Sequence, residues 1–138
     1  MNLVDQLLKS DVKKIDELET GVFKSHRLAK LIGAESETVD VAIQEVKSRR
    51  LNDIVSYQVD KKGNFDYAKS FDAKLMLAIE GCIDPDLRNK ELQAYFKCAN
   101  AKELAEKLFG SEINELSDAI SVLSGINAED DNEEEIKN

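Results

Sequence analysis

Asn100–Gly125 reads NAKELAEKLFGSEINELSDAISVLSG, and its apolar spacing points to a helical fold. Ala101, Leu104, Ala105, Leu108 and Phe109 recur at the spacing of one helix face. After a break at Gly110, Ile113, Leu116, Ile120 and Leu123 do the same. Asn100 has an N-cap side chain, and Glu103 stands where it can reach back to the Asn100 amide, as in a capping box. Gly125 occupies the place of a left-handed residue just past a helix end. Each helix opposes an apolar face to a charged one. Such a pair is not stable alone, so it must lie on the rest of the chain or on a partner. Leu104, Leu108, Phe109, Ile113, Leu116, Ile120 and Leu123 are therefore core candidates first, and candidate partner-binding residues as the alternative.

The remainder of the chain supplies something to lie on. Tyr67 onward carries Phe71, Leu75, Ala78, Ile79 and Cys82 on one stripe, with Asp66 as cap, and is the candidate central helix. Gly81 near its end implies fraying or a close contact. Asp84-Pro85 then restarts the chain, with Asp84 as a cap and Pro85 at the first helical position; Leu87, Leu92, Tyr95 and Phe96 follow on a further helix. Upstream, Leu51, Ile54, Val55 and Val59 begin a helical pattern at Ser48, and Lys62-Gly63-Asn64 is a turn. Residues 2–9 hold Leu3, Val4, Leu7 and Leu8 on one face. Ser10 or Asp11 breaks that helix, and a short turn runs through Val12, Ile15 and Leu18.

Residues 21–47 are ambiguous. GVFKS reads as a strand and RLAKLIG as a helical turn ended by Gly33. In TVDVAIQEV, Val39, Val41 and Ile43 alternate with Asp40, Ala42 and Gln44, yet Val39, Ile43 and Val46 also fit a helix face. The density of β-branched residues favours strand. A short N-terminal β-hairpin pairing 21–26 with 38–46 is expected, with helix the alternative. The fold class is thus mainly α: one helical domain over residues 1–126 with a possible β-hairpin. A disordered acidic tail is expected over 127–138, where AEDDNEEEIKN is poor in apolar residues and dense in like charge.

Composition bounds the function. The chain has 138 residues and a formal net charge of −9. A chain this long buries roughly 68–70% of its unfolded surface and needs no disulfide or metal staple. Arg49-Arg50 and Lys61-Lys62 are isolated pairs on an acidic chain, so nucleic acid is not an expected partner. No apolar run approaches the ~20 residues of a membrane span. The opening Met1–Asp5 has an acid where a secretory leader is basic. Cys82 and Cys98 form no CxxC and share the chain with one histidine, His26, so two free thiols in a reducing cytoplasm are expected.

Catalytic signals are sparse. His26 lacks a neighbouring nucleophile motif and reads as a surface histidine. Cys82 sits on an apolar stripe and reads as a buried structural thiol. Cys98 precedes a helix start, where a thiol pKa falls, but an incidental cysteine is the simpler reading. Four zinc ligands would need every Cys and the lone His. EF-hand spacing, Walker A and GxGxxG are absent from the sequence. No metal, no cofactor and no enzymatic activity are expected.

Several motifs resemble those of the XkdN-like phage tail assembly chaperones. One is VAIQEVKSRRLNDIVSYQVDKKGNFD, a strand-to-helix passage ending in a Lys-Lys-Gly turn. A second is GCIDPDLRNKELQAYF, with Gly81, Pro85, Leu87, Glu91 and Leu92 in the family's pattern. The third is the stretch quoted at the outset, through Glu103-Leu104, Lys107-Leu108-Phe109, Gly110 with Glu112-Ile113, and Leu123-Ser124-Gly125. Ser111 intervenes where the family tends to have Gly and Glu adjacent. The N-terminal LVDQLLKSDVKKIDEL and the Arg27-Leu28 segment are similar too. The resemblance implies a non-enzymatic chaperone acting in the bacterial host cytoplasm. Such a protein keeps a long tape measure protein soluble and helps tail tube protein polymerise around it. Self-association into a homo-oligomer is possible for such a protein. A small acidic adaptor for another helical partner is the rival reading, and a metal-free hydrolase or transferase subunit a more distant one.

Overall fold

The computed structural model describes residues 2–126. Helix predominates, in the order α1 (Leu3–Leu8), a 3-10 turn (Val12–Asp16), β1 (Thr20–Ser25), α2 (His26–Ile32), β2 (Val39–Gln44), α3 (Ser48–Ser56), α4 (Tyr67–Gly81), β3 (Cys82–Asp84), α5 (Lys90–Tyr95), α6 (Ala101–Phe109), a second 3-10 turn (Gly110–Glu112) and α7 (Ile113–Leu123). The expected acidic tail, 127–138, lies outside the described residues.

Residues 21–47 resolve as strand, helix, strand. β1 and β2 pair antiparallel from Thr20 opposite Gln44 to Ser25 opposite Val39. The alternation read in TVDVAIQEV is real: Val41 and Ile43 point into the core, while Asp40 is exposed. The two strands are not joined by a tight hairpin turn, because α2 stands between them. β3 extends the sheet to the order β1-β2-β3.

β3 also corrects the reading of residues 82–85. Cys82 closes α4 and enters the sheet opposite Ile43. Asp84 is a strand residue, joined to Pro85 by a cis peptide bond, and neither begins a helix. The next helix starts only at Lys90, capped by Asn89, whose Oδ1 accepts from the Leu92 amide at 2.8 Å. A three-residue strand directly after a helix has too few residues to show a period of two.

α4 is the central helix, packed against α3, α6 and α7. Asp66 caps it through the Ala68 amide. Its buried face, Ala73, Leu75, Leu77, Ala78 and Gly81, is wider than the stripe expected, and Phe71 lies at its margin. Gly81 marks a close contact: a Cβ there would meet the Ile120 side chain at 2.6 Å, so α7 crosses α4 where no side chain intervenes. α6 carries the expected N-terminal box with one change. Asn100 Oδ1 accepts from the Glu103 amide, but Glu103 Oε1 accepts from the Ala99 amide and not from Asn100. α7 ends at Leu123, and Gly125 then takes the positive φ of 94°.

A brace joins the two ends of the domain. Glu112, in the 3-10 turn between α6 and α7, is buried. Its Oε1 accepts from Ser25 Oγ at 2.7 Å, and its Oε2 from the backbone amides of His26 at 2.9 Å and Arg27 at 3.2 Å. Those amides open α2, where four N–H groups have no partner within the helix and the helix dipole favours a negative charge. Ser25 Oγ also accepts from the Leu28 amide, as an N-cap does. The tie is returned by Arg27. Its Nε donates to the Leu108 carbonyl and its Nη2 to the Lys107 carbonyl, each at 3.2 Å, closing the C-terminal turn of α6. Gly110 makes room for that guanidinium. It sits at φ 51°, and a Cβ there would lie 2.7 Å from Arg27 Cζ.

Replacing Glu112 with alanine would strip the carboxylate from a buried hydroxyl and two helix-opening amides. A loss of roughly 2–3 kcal/mol is expected, read as a lower midpoint in urea unfolding, against less than ~0.5 kcal/mol for the exposed control Glu106→Ala.

Candidate functional site: an apolar groove beside helix 2

Six of the seven residues singled out as partner-binding candidates are buried in the core. Leu104, Leu108, Phe109, Ile113, Leu116 and Ile120 belong to one apolar cluster with Val41, Ile43, Ile54, Leu75 and Leu87. Leu123 is partly buried and packs over β1, where a Cβ on Gly21 would lie 3.3 Å from its Cδ1. The apolar faces of α6 and α7 are turned onto the chain's own sheet and α4. In the folded chain these side chains are engaged in the chain's own core. Of the seven, Leu108 alone also lines an apolar opening.

That opening is a groove of about 300 Å³. Leu28, Leu31 and Ile32 of α2 form one wall, and Leu92 of α5 with Phe96 just beyond it forms the other. Leu108 of α6 and Val39 of β2 close the base, and Asp40, Asp84 and Pro85 the end. Leu31 is 54% and Ile32 67% exposed, although both are large and aliphatic. Pro85 and Leu92 continue into an adjoining cleft of about 460 Å³ with Asp84, Asp86, Asn89, Glu91 and Tyr95. The lining is apolar and the rim acidic. The place of α2 beside the groove is set at its first turn: Glu112 accepts from the opening amides, and the Arg27 side chain ties the same turn to the end of α6, whose Leu108 lines the groove.

A second apolar surface lies at the N-terminus. α1 buries none of its residues, and Leu3, Val4, Leu7 and Leu8 are each between 61% and 79% exposed, with Val12 and Ile15 exposed beyond them. Exposed apolar side chains grouped in this way mark interaction surfaces in soluble proteins.

The residues with reactive chemistry do not converge. His26 is exposed; it contributes its backbone amide to Glu112. Cys82 is buried against the core, and burial pushes its thiol up to about 12 from an ordinary 9.0. It remains protonated and unreactive at neutral pH. Cys98 is half-buried, with its Sγ 3.6 Å from the Phe96 carbonyl. Among the described residues no three His, Cys, Asp or Glu side chains gather as metal ligands. No buried side-chain nitrogen or oxygen among them lacks a hydrogen-bond partner. No helix among them is long and apolar enough to cross a membrane.

A family model described as Phage XkdN-like tail assembly chaperone protein matches residues 4–137. The chain belongs to that family. Tail assembly chaperones are a non-enzymatic kind of protein, and partners among phage tail proteins follow in general terms from membership. The crystal structure of the protein YqbN is similar in fold, with a TM-score of 0.56 at 14% identity, over 80% of this chain and 90% of that one. No curated protein sequence matches the chain. The family motifs now have physical roles. The Arg27-Leu28 segment and the Gly110–Ile113 junction are the two halves of the brace, and Ser111 is accommodated within the 3-10 turn that delivers Glu112.

The Cys82 thiol ties stability to alkaline pH. Its folded pKa lies above its unfolded value, so the folded chain holds the proton longer. The contribution is complete below pH 9 and is lost as pH rises toward about 12. Urea unfolding between pH 9 and 11 should show wild type losing up to ~1.4 kcal/mol per pH unit more than Cys82→Ala, with equal slopes for the two below pH 8.

Proposed function

We propose that this chaperone binds the tape measure protein, and that the α2–α5 groove receives an amphipathic helical segment of it. The observation that carries the proposal is the groove itself, an apolar trough with exposed Leu31 and Ile32 on a member of the tail assembly chaperone family. A tape measure is long and helical, and before the tube surrounds it its apolar stripes face water. A groove that takes the side chains of one helix face is the usual means of covering such a stripe. Leu108 takes part from the base of the groove, whereas the other core residues of α6 and α7 act by holding its walls in place.

The charge of the protein suits the task. A net charge of −9 on the chain keeps a complex with an aggregation-prone client soluble. The groove is shallow and open, so the client is released when tail tube protein arrives to polymerise around it. The chaperone acts in this reading in the cytoplasm of the bacterial host, where tails assemble, and leaves before the tail is complete.

Leu31→Glu with Ile32→Glu should leave the fold intact, because both side chains are solvent-exposed. On co-expression with its tape measure, wild type should keep the client in the supernatant and the double variant should leave most of it in the pellet. A soluble client with the double variant would exclude the groove as the binding site. Val55→Glu, on the exposed side of α3, is the matched control and should behave as wild type.

A further inference from the structure

Among the described residues, two exposed apolar surfaces have opposite shape. One is the α2–α5 groove, and the other is the helix α1. We infer that α1 of one copy seats its Leu3, Val4, Leu7 and Leu8 face in the groove of a second copy, so that two copies form a reciprocal dimer. The inference rests on the reading of the groove as a receptor for an amphipathic helix, and it names a second occupant that competes with the client.

The shape argument comes first. Leu3 and Leu7, and Val4 and Leu8, are four residues apart and share a face of α1. The helix is pinned at both ends: Asn2 Oδ1 accepts from the Asp5 amide, and Ser10 Oγ donates to the Leu7 carbonyl. Its apolar face is thus presented on a formed helix, and among the described residues it stays exposed. The folded monomer leaves both helix and groove open, so the match is made between copies.

Charge supports the same pairing. Residues 9–14 hold Lys9, Lys13 and Lys14 against the single acid Asp11, on a chain that is otherwise acidic. Asp11 is engaged in capping the 3-10 turn through the Lys13 amide. The groove and its adjoining cleft are rimmed by Asp84, Asp86 and Glu91. Among the described residues none of these three acids has a salt-bridge partner, and the nearby Arg88 is engaged with Glu80 at 2.8 Å. The basic segment following α1 therefore meets the acidic rim when α1 lies in the groove.

The connection gives α1 reach. Residues 9–19 separate α1 from β1. Counting Lys9 and Ser10 as helical turn, the 3-10 turn as compact and the other four residues as extended, they span about 26 Å. Two such arms exchanged about a two-fold axis close the assembly, each groove receiving the other copy's helix. Doubling the contact brings two small surfaces nearer to the area a specific interface requires. The dimer keeps the client groove covered while no tape measure is present.

Sedimentation of the full chain over a micromolar-to-millimolar series tests the inference. Wild type should show a concentration-dependent monomer–dimer equilibrium. Leu7→Glu with Leu8→Glu, and separately Ile32→Glu, should each raise the dissociation constant about tenfold or more, with unchanged circular dichroism. Mixing the two variants should restore part of the dimer, because one intact helix and one intact groove remain. Lys13→Glu with Lys14→Glu should weaken the dimer, and Asp84→Lys with Asp86→Lys added should recover it. A wild type monomeric throughout, whether or not α1 docks on its own chain, would overturn the inference, as would a dimer untouched by the α1 variant. The client reading is scored separately. The α1 variant should still hold a tape measure in solution, and Ile32→Glu should not.

Discussion

A buried carboxylate holds this fold together. Glu112 collects three donors from the start of α2, and Arg27 of that helix returns two hydrogen bonds to the end of α6. The residues involved lie 80 to 87 positions apart in the chain. Taking a carboxylate out of water is costly, and the cost is offset only where donors meet it in good geometry. Here two of the three donors are amides that α2 would otherwise leave without a partner inside the helix, and the helix dipole adds to the attraction. Ser25 closes the arrangement by donating to Glu112 and accepting from Leu28. A short helix of seven residues, too short to hold itself, is thereby fixed at an angle to α6.

The groove beside α2 follows from that constraint. Once the first turn of α2 is fixed, Leu28 faces the core and Leu31 and Ile32 stand at the lip of a trough. α5 supplies the opposite wall because the chain leaves the sheet at β3 and turns through Pro85 and Asn89 before becoming helical. The large apolar faces of α6 and α7 lie beneath, on α4 and the sheet. Their work is structural, and the exposed apolar residues that remain are few and grouped on short elements. A deep, stable core tolerates a small exposed patch, whereas exposing the core face itself would cost the fold.

Much of the helical framework was legible from residues alone. Apolar spacing placed α4, α6 and α7, Asp66, Asn100 and Gly125 marked their ends, and the β-branched density at 39–43 favoured strand over helix where β2 lies. Local signals were enough because those elements are set by local periodicity and capping. β3 was not legible, since Cys82–Asp84 is too short for any pattern and Asp84-Pro85 is the usual signature of a helix start. The groove was not legible either. Leu31 and Ile32 look like core in sequence, and only the placement of α2 between two strands leaves them outside. Glu112 on paper was one more acid on a charged face. The resemblance did name both halves of the brace, in Arg27-Leu28 and in Gly110 with Glu112-Ile113, but a single sequence contains no sign that they meet.

The claim that joins these observations is that the groove held by the Glu112–Arg27 brace is where the client lies. Methyl-resolved NMR of the labelled chaperone, titrated with a helical fragment of its tape measure, tests it most directly. The account predicts that the methyls of Leu31, Ile32, Leu92 and Leu108 shift first and most, while those of Val55 in α3 and of Val59, bridged to Phe65 beyond it, stay in place. Shifts confined to Val55, Val59 and their neighbours, with the groove methyls unmoved, would contradict it.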